Sequence, residues 1–392
     1  MNRYADGSLK EIEESPYKTY GLGGADRGDF DSQNALHFLG DYLIVVNAGK
    51  HAEFSSNGSL SVFKIKEDGK LEFVDQNPET SEPDNINSRG VRPVTIDCIE
   101  NNNLSWVIVG NQFGNPLGGQ PIETTNLRNI TAFTLDKETG ILTFRNVLAT
   151  YFDGKSGGPA HVQFSNNSNR LAVSTWGVPV FDAAPDTLLQ KPSRVYVYDF
   201  FGNSAEAPEL KPIYEKNYFQ KTGIAGTIGI QWSNDNNYIY AANFNLSKHT
   251  PQYSATVLEV KANKIELVGN GFIDNIGNEA CWALINKDNT KLYTASFTGN
   301  FITIFDIEDK SKLTVKDYYP RKGTSTADTK DMAFDPKGAY FYVSGGYDTH
   351  SITTYLLTGD RGLSELSSSP YKVPSARNAN SEEQAFLGLL AR

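Results

Sequence analysis

Residues 280–307 read ACWALINKDNTKLYTASFTGNFITIFDI. The first six residues form a mostly apolar run of strand length. Asn-Lys-Asp-Asn-Thr is a polar break built from turn residues. Lys-Leu-Tyr-Thr-Ala-Ser alternates, Phe-Thr-Gly-Asn turns again, and Phe-Ile-Thr-Ile-Phe-Asp-Ile alternates once more. Short runs of period two, separated by Asn, Asp and Gly, mark consecutive antiparallel strands. Such a unit cannot bury its faces alone, so its meaning depends on whether the chain repeats it.

It does. The same strand, turn and strand recur in NALHFLGDYLIVVNAG, RPVTIDCIENNNLSWVIVGNQFG, PAHVQFSNNSNRLAVSTWG, GTIGIQWSNDNNYIYAANFN and TKDMAFDPKGAYFYVSGGYD. A third alternating strand follows each: GSLSVFKI, NITAFTL, SRVYVYDF, SATVLEV and HSITTYLL, beside NFITIFDI. A less regular fourth strand follows, as in GKLEFVDQ, GILTFRNV and NKIELVGN. Four antiparallel strands every ~50 to 70 residues are the unit of a β-propeller blade. The expected fold is therefore all-β, a single propeller domain.

The repeats predict blades at 32–84, 85–157, 158–225, 226–278, 279–327 and 328–380. Residues 1–31 contain NRYADGSLKEIEESPY, which reads as an outer strand like KIKEDGKLEFVDQ. Residues 381–392 contain EEQAFLGLLAR, which could supply an inner strand. Closure removes exposed strand edges, so the expected ring has seven blades, the last built from both termini and incomplete. The alternative is a six-bladed ring with EEQAFLGLLAR as a short helix. Two inserts, NPLGGQPIETTNLR and GVPVFDAAPDTLLQKPS, form long loops that could cap the channel or meet a partner.

The chain of 392 residues carries a net charge of −10, which argues against nucleic acid or an anionic membrane surface as partners. No apolar run reaches the length of a membrane span, so a soluble protein is expected. The opening MNRYADGSLKEIEESPYK lacks the apolar core of a signal peptide, which predicts a cytoplasmic protein, or an extracytoplasmic one after processing. Cys98 and Cys281 are far apart, with no CxxC and no zinc spacing, so neither a disulfide framework nor a structural metal is expected. There is no GxSxG elbow, P-loop or HExxH, and no cofactor is predicted.

Three stretches carry a resemblance. SQNALHFLGDYLIVVNAG, GVRPVTI and EACWALINKDNTKLYTASFTG, with the Pro-x-His at 159–161, resemble the lactonase-type seven-bladed propellers. This is the family of bacterial 6-phosphogluconolactonases and fungal carboxymuconate lactonising enzymes. The resemblance spans nearly the whole chain. It implies metal-independent opening or forming of a small sugar-acid or muconate-type lactone in the channel. It also marks a departure, because family members have two further strands before NRYADGSL.

Aligning the repeats places Ala35, Pro93, His161, Thr227, Trp282 and Asp331 at one level of the inner strands. Asn34, Arg92, Ala160, Gly226, Cys281 and Lys330 fall one residue earlier. A lactone-opening site needs a base for water, donors for the oxyanion and an anchor for an anionic substrate. His161, one of five histidines, is the candidate base. Glu279 or Asp331 could orient it or share the proton. Arg92 and Lys330 could hold an anionic lactone or the oxyanion, and Trp282 could wall the ring of the substrate. Each has a plainer alternative: an inter-blade hydrogen bond for His161, ion pairing for Arg92, turn capping for Lys330, Asp331 and Glu279, and packing for Trp282. Asn47, Asn111 and Asn243 recur at one repeat position and read as structural. A non-catalytic binding or scaffold propeller is the alternative function. A metal-dependent gluconolactonase-type propeller would need several carboxylates converging on the channel.

Overall fold

The computed structural model describes residues 1–23, 32–49, 52–54, 57–101, 103–112, 128–151, 158–175, 178–179, 189–191, 193–213, 218–219, 226–244, 254–271, 280–322, 327–346, 348–359, 362–373 and 388–392. They form six antiparallel blade sheets, each with four strands ordered as they follow in sequence; in blades one, three and six a further two-residue strand pairs with the third strand. Blade one holds Leu36–Leu39, Tyr42–Asn47, Ser59–Ile65 and Leu71–Val74. Blade two holds Pro93–Asn101, Leu104–Asn111, Asn129–Leu135 and Leu142–Thr150. Blade three holds Pro159–Phe164, Arg170–Thr175, Arg194–Phe201 and Glu209–Pro212. Blade four holds Gly226–Trp232, Tyr238–Phe244, Ala255–Lys261 and Lys264–Gly271. Blade five holds Ala280–Ile285, Lys291–Ser296, Phe301–Glu308 and Lys312–Pro320. Blade six holds Thr329–Phe334, Tyr340–Gly345, Ser351–Leu357 and Leu363–Glu365.

The inner turns show how the sequence makes the blade. Each turns back through one residue of positive φ: Gly40, Asn103, Ser168, Asn236, Asn289 and Gly338. Asn and Gly tolerate that conformation, which is why they recur there. In four blades the side chain that opens the turn also closes it. Ser165 Oγ accepts the Arg170 N–H at 3.1 Å, and Ser233 Oγ accepts that of Tyr238 at 2.9 Å. Asn286 Oδ1 does the same for Lys291, and Asp335 Oδ1 for Tyr340.

Blade faces pack on one another through apolar clusters. Ile44, Val62, Val109 and Phe133 join blades one and two, and Trp106, Val162, Leu171 and Tyr196 join two and three. Ala172, Ile239 and Leu258 lie in the cluster of blades three and four. Ala242 and Leu292 join four and five, and Ile304 and Phe341 join five and six. Cys98 and Cys281 are buried free thiols. Among the described residues no helix is long and apolar enough to cross a membrane.

Six is the blade count that the sequence allows as its alternative; no seventh four-stranded sheet occurs among the described residues. Blades six and one are joined instead through the termini. A two-stranded hairpin, Asn2–Arg3 with Leu9–Lys10, lies at the outer end of the junction. Its Arg3 guanidinium stacks on the Tyr340 ring, and the Glu11 N–H reaches the Tyr371 hydroxyl. The chain then crosses to blade one, where the Thr19 carbonyl accepts from Ser61 Oγ at 2.6 Å. Residues 388–392 are neither helix nor strand. They run from Asp331 on blade six to Asp41 on blade one, where Arg392 makes an ion pair. The rest of EEQAFLGLLAR lies outside the described residues.

Candidate functional site at the inner-strand ring

The inner strands of blades two to six share a device. Pro93, Pro159, Thr227, Ala280 and Thr329 pair with Asn111, Thr175, Asn243, Ser296 and Gly345 at the end of the second strand, one residue before the end in blade four. Immediately afterwards each inner strand carries a bulge, and pairing resumes at Thr95, His161, Ile230, Trp282 and Met332. A bulge adds one residue and re-aims the side chains beyond it. The register therefore corrects the level read from sequence. His161, Trp282 and Asp331 do share a level with Ala35. The members from blades two and four are Thr95 and Gly229, two residues beyond Pro93 and Thr227. A slip of two keeps each side chain on its face, so the apolar pattern does not betray it. The correction separates the two cations. Lys330 precedes the ring residue Asp331, whereas Arg92 precedes the bulge and corresponds to Gly158.

The ring holds the blades together. Thr95 Oγ1 accepts the Val162 N–H of blade three at 3.1 Å. His161 Nδ1 accepts the Ile230 N–H of blade four at 3.0 Å. Gly229 offers no side chain, and its place is taken by Gln33 from the segment that leads into blade one. Gln33 Oε1 accepts the Ala283 N–H at 3.1 Å and Nε2 donates to the Ala283 carbonyl at 2.8 Å. Trp282 Nε1 donates to the Ser32 carbonyl at 2.8 Å, and the Gln33 N–H donates to the Ala160 carbonyl. Ser32 and Gln33 are both 1% exposed, so the lead-in fills the ring from within.

Two side chains in the ring have displaced ionisation. His161 is 0% exposed. Its pKa is lowered to about 3, chiefly by burial, with Asp97 opposing the shift and the His37 charge adding to it. It is neutral, and because Nδ1 accepts, its proton lies on Nε2. That N–H has no partner among the described residues. Asp331 moves the other way. Burial raises its carboxyl to about 7, against the Met332 and Leu389 N–H groups that its two oxygens accept.

Trp282 is fully buried, and the Lys330 ammonium lies 5.1 Å from its ring and 4.6 Å from that of Phe297. Arg92 is buried with φ of 58°, and its carbonyl accepts the Gln112 N–H. Glu279 and most of both long inserts lie outside the described residues. Asn47, Asn111 and Asn243 tie the second strand to the third through Ser61, Thr131 and Thr256. These bonds fit the structural reading, and none of the three residues has a positive φ.

A second polar layer escapes the alignment of repeats. Two residues beyond the ring, Asp97 Oδ2 accepts the Phe164 N–H at 2.6 Å and Gln163 Oε1 accepts that of Trp232 at 3.0 Å. His37 Nε2 lies 3.0 Å from Asp97 Oδ1, and its Nδ1 lies 2.7 Å from the Phe38 carbonyl. With an acceptor at each nitrogen, the ring is held as imidazolium. Burial pushes its pKa down, but Asp97 and Cys98 together raise it well above the usual value. The signal in the sequence is the polar residue at one position of TIDCI, HVQF and GIQW, visible once the bulge is counted.

The two ring titrations have opposite consequences for stability. His161 has a folded pKa far below its unfolded value of about 6.5, so its contribution is complete above that pH and fades as pH falls towards 3. Asp331 has a folded pKa above its unfolded value, so its contribution is complete below about pH 4 and is lost as pH rises through 7. His161→Gln keeps an acceptor for Ile230, as Gln33 does for Ala283, and removes the titration. Because Asp331 offsets His161 in wild type, the urea midpoint of this variant should rise more steeply than that of wild type as pH falls from 7 to 5. His161→Ala should cost about 1–3 kcal/mol at pH 7 by stranding the Ile230 N–H. An unchanged pH slope in His161→Gln would refute this account.

Among the described residues no three His, Cys, Asp or Glu side chains converge to hold a metal ion. No family model and no curated protein matches the chain. Solved structures do. A proposed 6-phosphogluconolactonase from Bacteroides fragilis is 14% identical with a TM-score of 0.63, over 90% of this chain and 85% of its own. The periplasmic gluconolactonase of Pseudomonas aeruginosa is 15% identical with a TM-score of 0.62, over 86% and 85%. A protein from Lactobacillus plantarum is 17% identical with a TM-score of 0.61, over 84% and 82%. At such identities the likeness is one of fold: the chain is an all-β propeller similar in architecture to structures that bear gluconolactonase names.

Proposed function

We propose that the protein is a lactonase-like enzyme that opens, or in reverse forms, a small sugar-acid or muconate-type lactone without a metal. The observation that carries this reading is the buried Asp331 carboxyl, raised to about 7, at the same ring level as the His161 Nε2–H, which has no partner among the described residues. A general base works best with a pKa near the working pH. In the proposed reaction Asp331 takes a proton from water as the oxygen attacks the lactone carbonyl carbon. The ring C–O bond then breaks, and Asp331 returns the proton to the departing alkoxide. In this reading Asp331 takes the base role expected of His161, and His161 serves as an N–H donor to the oxyanion. Lys330 stabilises the same charge, Trp282 walls the lactone ring, Arg92 helps to hold an anionic substrate, and Glu279 shares the proton work. The fold shared with gluconolactonase-named structures supports the reading.

The test is proton release from phosphorylated, sugar and muconate lactones. Asp331→Asn should lower kcat by about 10²-fold or more, and the wild-type profile should rise through pH 7. EDTA should leave turnover unchanged; loss with EDTA would support the metal-dependent reading. A second reading, a binding or scaffold propeller, is favoured by the lead-in Ser32–Gln33 that fills the ring. No turnover of any lactone by the folded protein would establish it over the enzyme.

A further inference from the structure

The second and third strands are joined more tightly in blade five than in any other blade, by Phe297, Thr298, Gly299 and Asn300 between Ser296 and Phe301. Asn300 closes this turn with φ of 53°, and its N–H donates to the Ser296 carbonyl at 3.0 Å. Glycine adopts that conformation at least as readily, so the turn alone does not call for a carboxamide.

The carboxamide acts on the next blade. Asn300 Oδ1 accepts three donors from the lead-in to blade six: the Asp328 N–H at 3.0 Å, the Thr329 N–H at 3.0 Å and the Thr329 hydroxyl at 3.2 Å. The Asn300 carbonyl accepts the Arg321 N–H at 2.8 Å. The Arg321 guanidinium in turn donates to Asp328 Oδ2 at 3.1 Å and to Thr329 Oγ1 at 3.2 Å. The Arg321 and Asp328 side chains are both fully buried, so water cannot stand in for a lost partner.

Lys330 follows at once. Its ammonium lies 4.6 Å from the ring centroid of Phe297, the first residue of the same turn, and 5.1 Å from that of Trp282. The turn therefore holds Lys330 at both ends: Asn300 fixes the backbone just before it, and Phe297 meets its head group. A lysine stem is flexible and does not place its charge unaided.

We propose that Asn300 is a positioning residue for Lys330, which sets the ammonium between Phe297 and Trp282 through the backbone of Asp328 and Thr329. The consequence for turnover rests on the reading of Lys330 as the group that stabilises the oxyanion. The placement itself does not.

The test has two arms. In the first, lysine is isotope-labelled at Cε, and the Lys330 resonance is assigned by its loss in Lys330→Met. Two aromatic faces should displace it from the other lysines. Asn300→Gly keeps the turn and removes the acceptor, so the resonance should move back towards them. Asn300→Asp keeps an acceptor oxygen and should leave it displaced. Phe297→Leu spares the clasp and should remove part of the displacement, which tests the head-group contact should Asn300→Gly fail to fold. In the second arm, Asn300→Gly should lower kcat for lactone opening about tenfold with KM nearly unchanged, and Asn300→Asp should recover most of it. Added to Lys330→Met, Asn300→Gly should lower kcat no further, because both changes act through one group. An unmoved Lys330 resonance in both Asn300→Gly and Phe297→Leu, or an equal kcat loss with and without Lys330, would overturn the proposal. The expected resonance shifts in a protein that opens no lactone would uphold the placement and sink the lactonase reading instead.

Discussion

Gly229→Ala should destabilise the protein by roughly 3 kcal/mol, the upper part of the range for an overpacked core. A Cβ at Gly229 would stand 2.3 Å from Gln33 Oε1, 2.5 Å from the Ala283 nitrogen and 3.0 Å from the Trp282 carbonyl carbon. The first of these is a side chain that can move. The other two belong to the backbone of blade five, whose position is set by its sheet. Gln33→Ala alone should cost about 1–3 kcal/mol, because it leaves the Ala283 N–H and C=O buried without partners. In the double variant the costs should sum to less than the two singles, because Gln33→Ala removes one of the clashes. Full rescue is not expected, since the backbone contacts remain. Urea midpoints of the four proteins measure the cycle. A wild-type midpoint for Gly229→Ala would mean that Gln33 is not seated in the ring.

Trp282→Ala should cost about 3–5 kcal/mol, the range for removing a large buried aromatic. The indole is 0% exposed and belongs to the cluster that joins blades five and six. Its loss also strips the Ser32 carbonyl of the Nε1–H donor and removes an aromatic face from the Lys330 ammonium. Trp282→Phe separates these effects. It keeps a ring for the cluster and for Lys330 and loses the N–H, so it should cost much less, about 1–2 kcal/mol. Thermal melts of both variants give the comparison. Equal losses would show that the indole N–H, and not the volume, carries the contribution.

The blades are legible because strand propensity and turn chemistry are local. Alternation in TKLYTASFTG and the residues Asn236, Asn289 and Gly338 at positive φ encode a hairpin without reference to its neighbours. The ring is only partly legible. In all five bulged blades the ring residue stands two beyond the pre-bulge pair, and alignment of the repeats finds that position for His161, Trp282 and Asp331. Alignment sets Pro93 and Thr227 two residues early, because a bulge leaves no mark in the apolar pattern when the slip is even. Gln33 cannot be found by aligning repeats at all. It fills a gap that the glycine of another blade leaves, and it reaches the ring from the segment before blade one.

Local order therefore resides in the chain itself: strand, turn and the repeat that stacks them. Blade count and the state of the ring groups do not, because they depend on what each blade meets. The Asp331 carboxyl is raised because blade packing excludes water from it, and His161 is neutral because burial disfavours its charged form while the Ile230 N–H of the next blade takes its lone pair. Desolvation and inter-blade hydrogen bonds exist only after six sheets have been set in a circle.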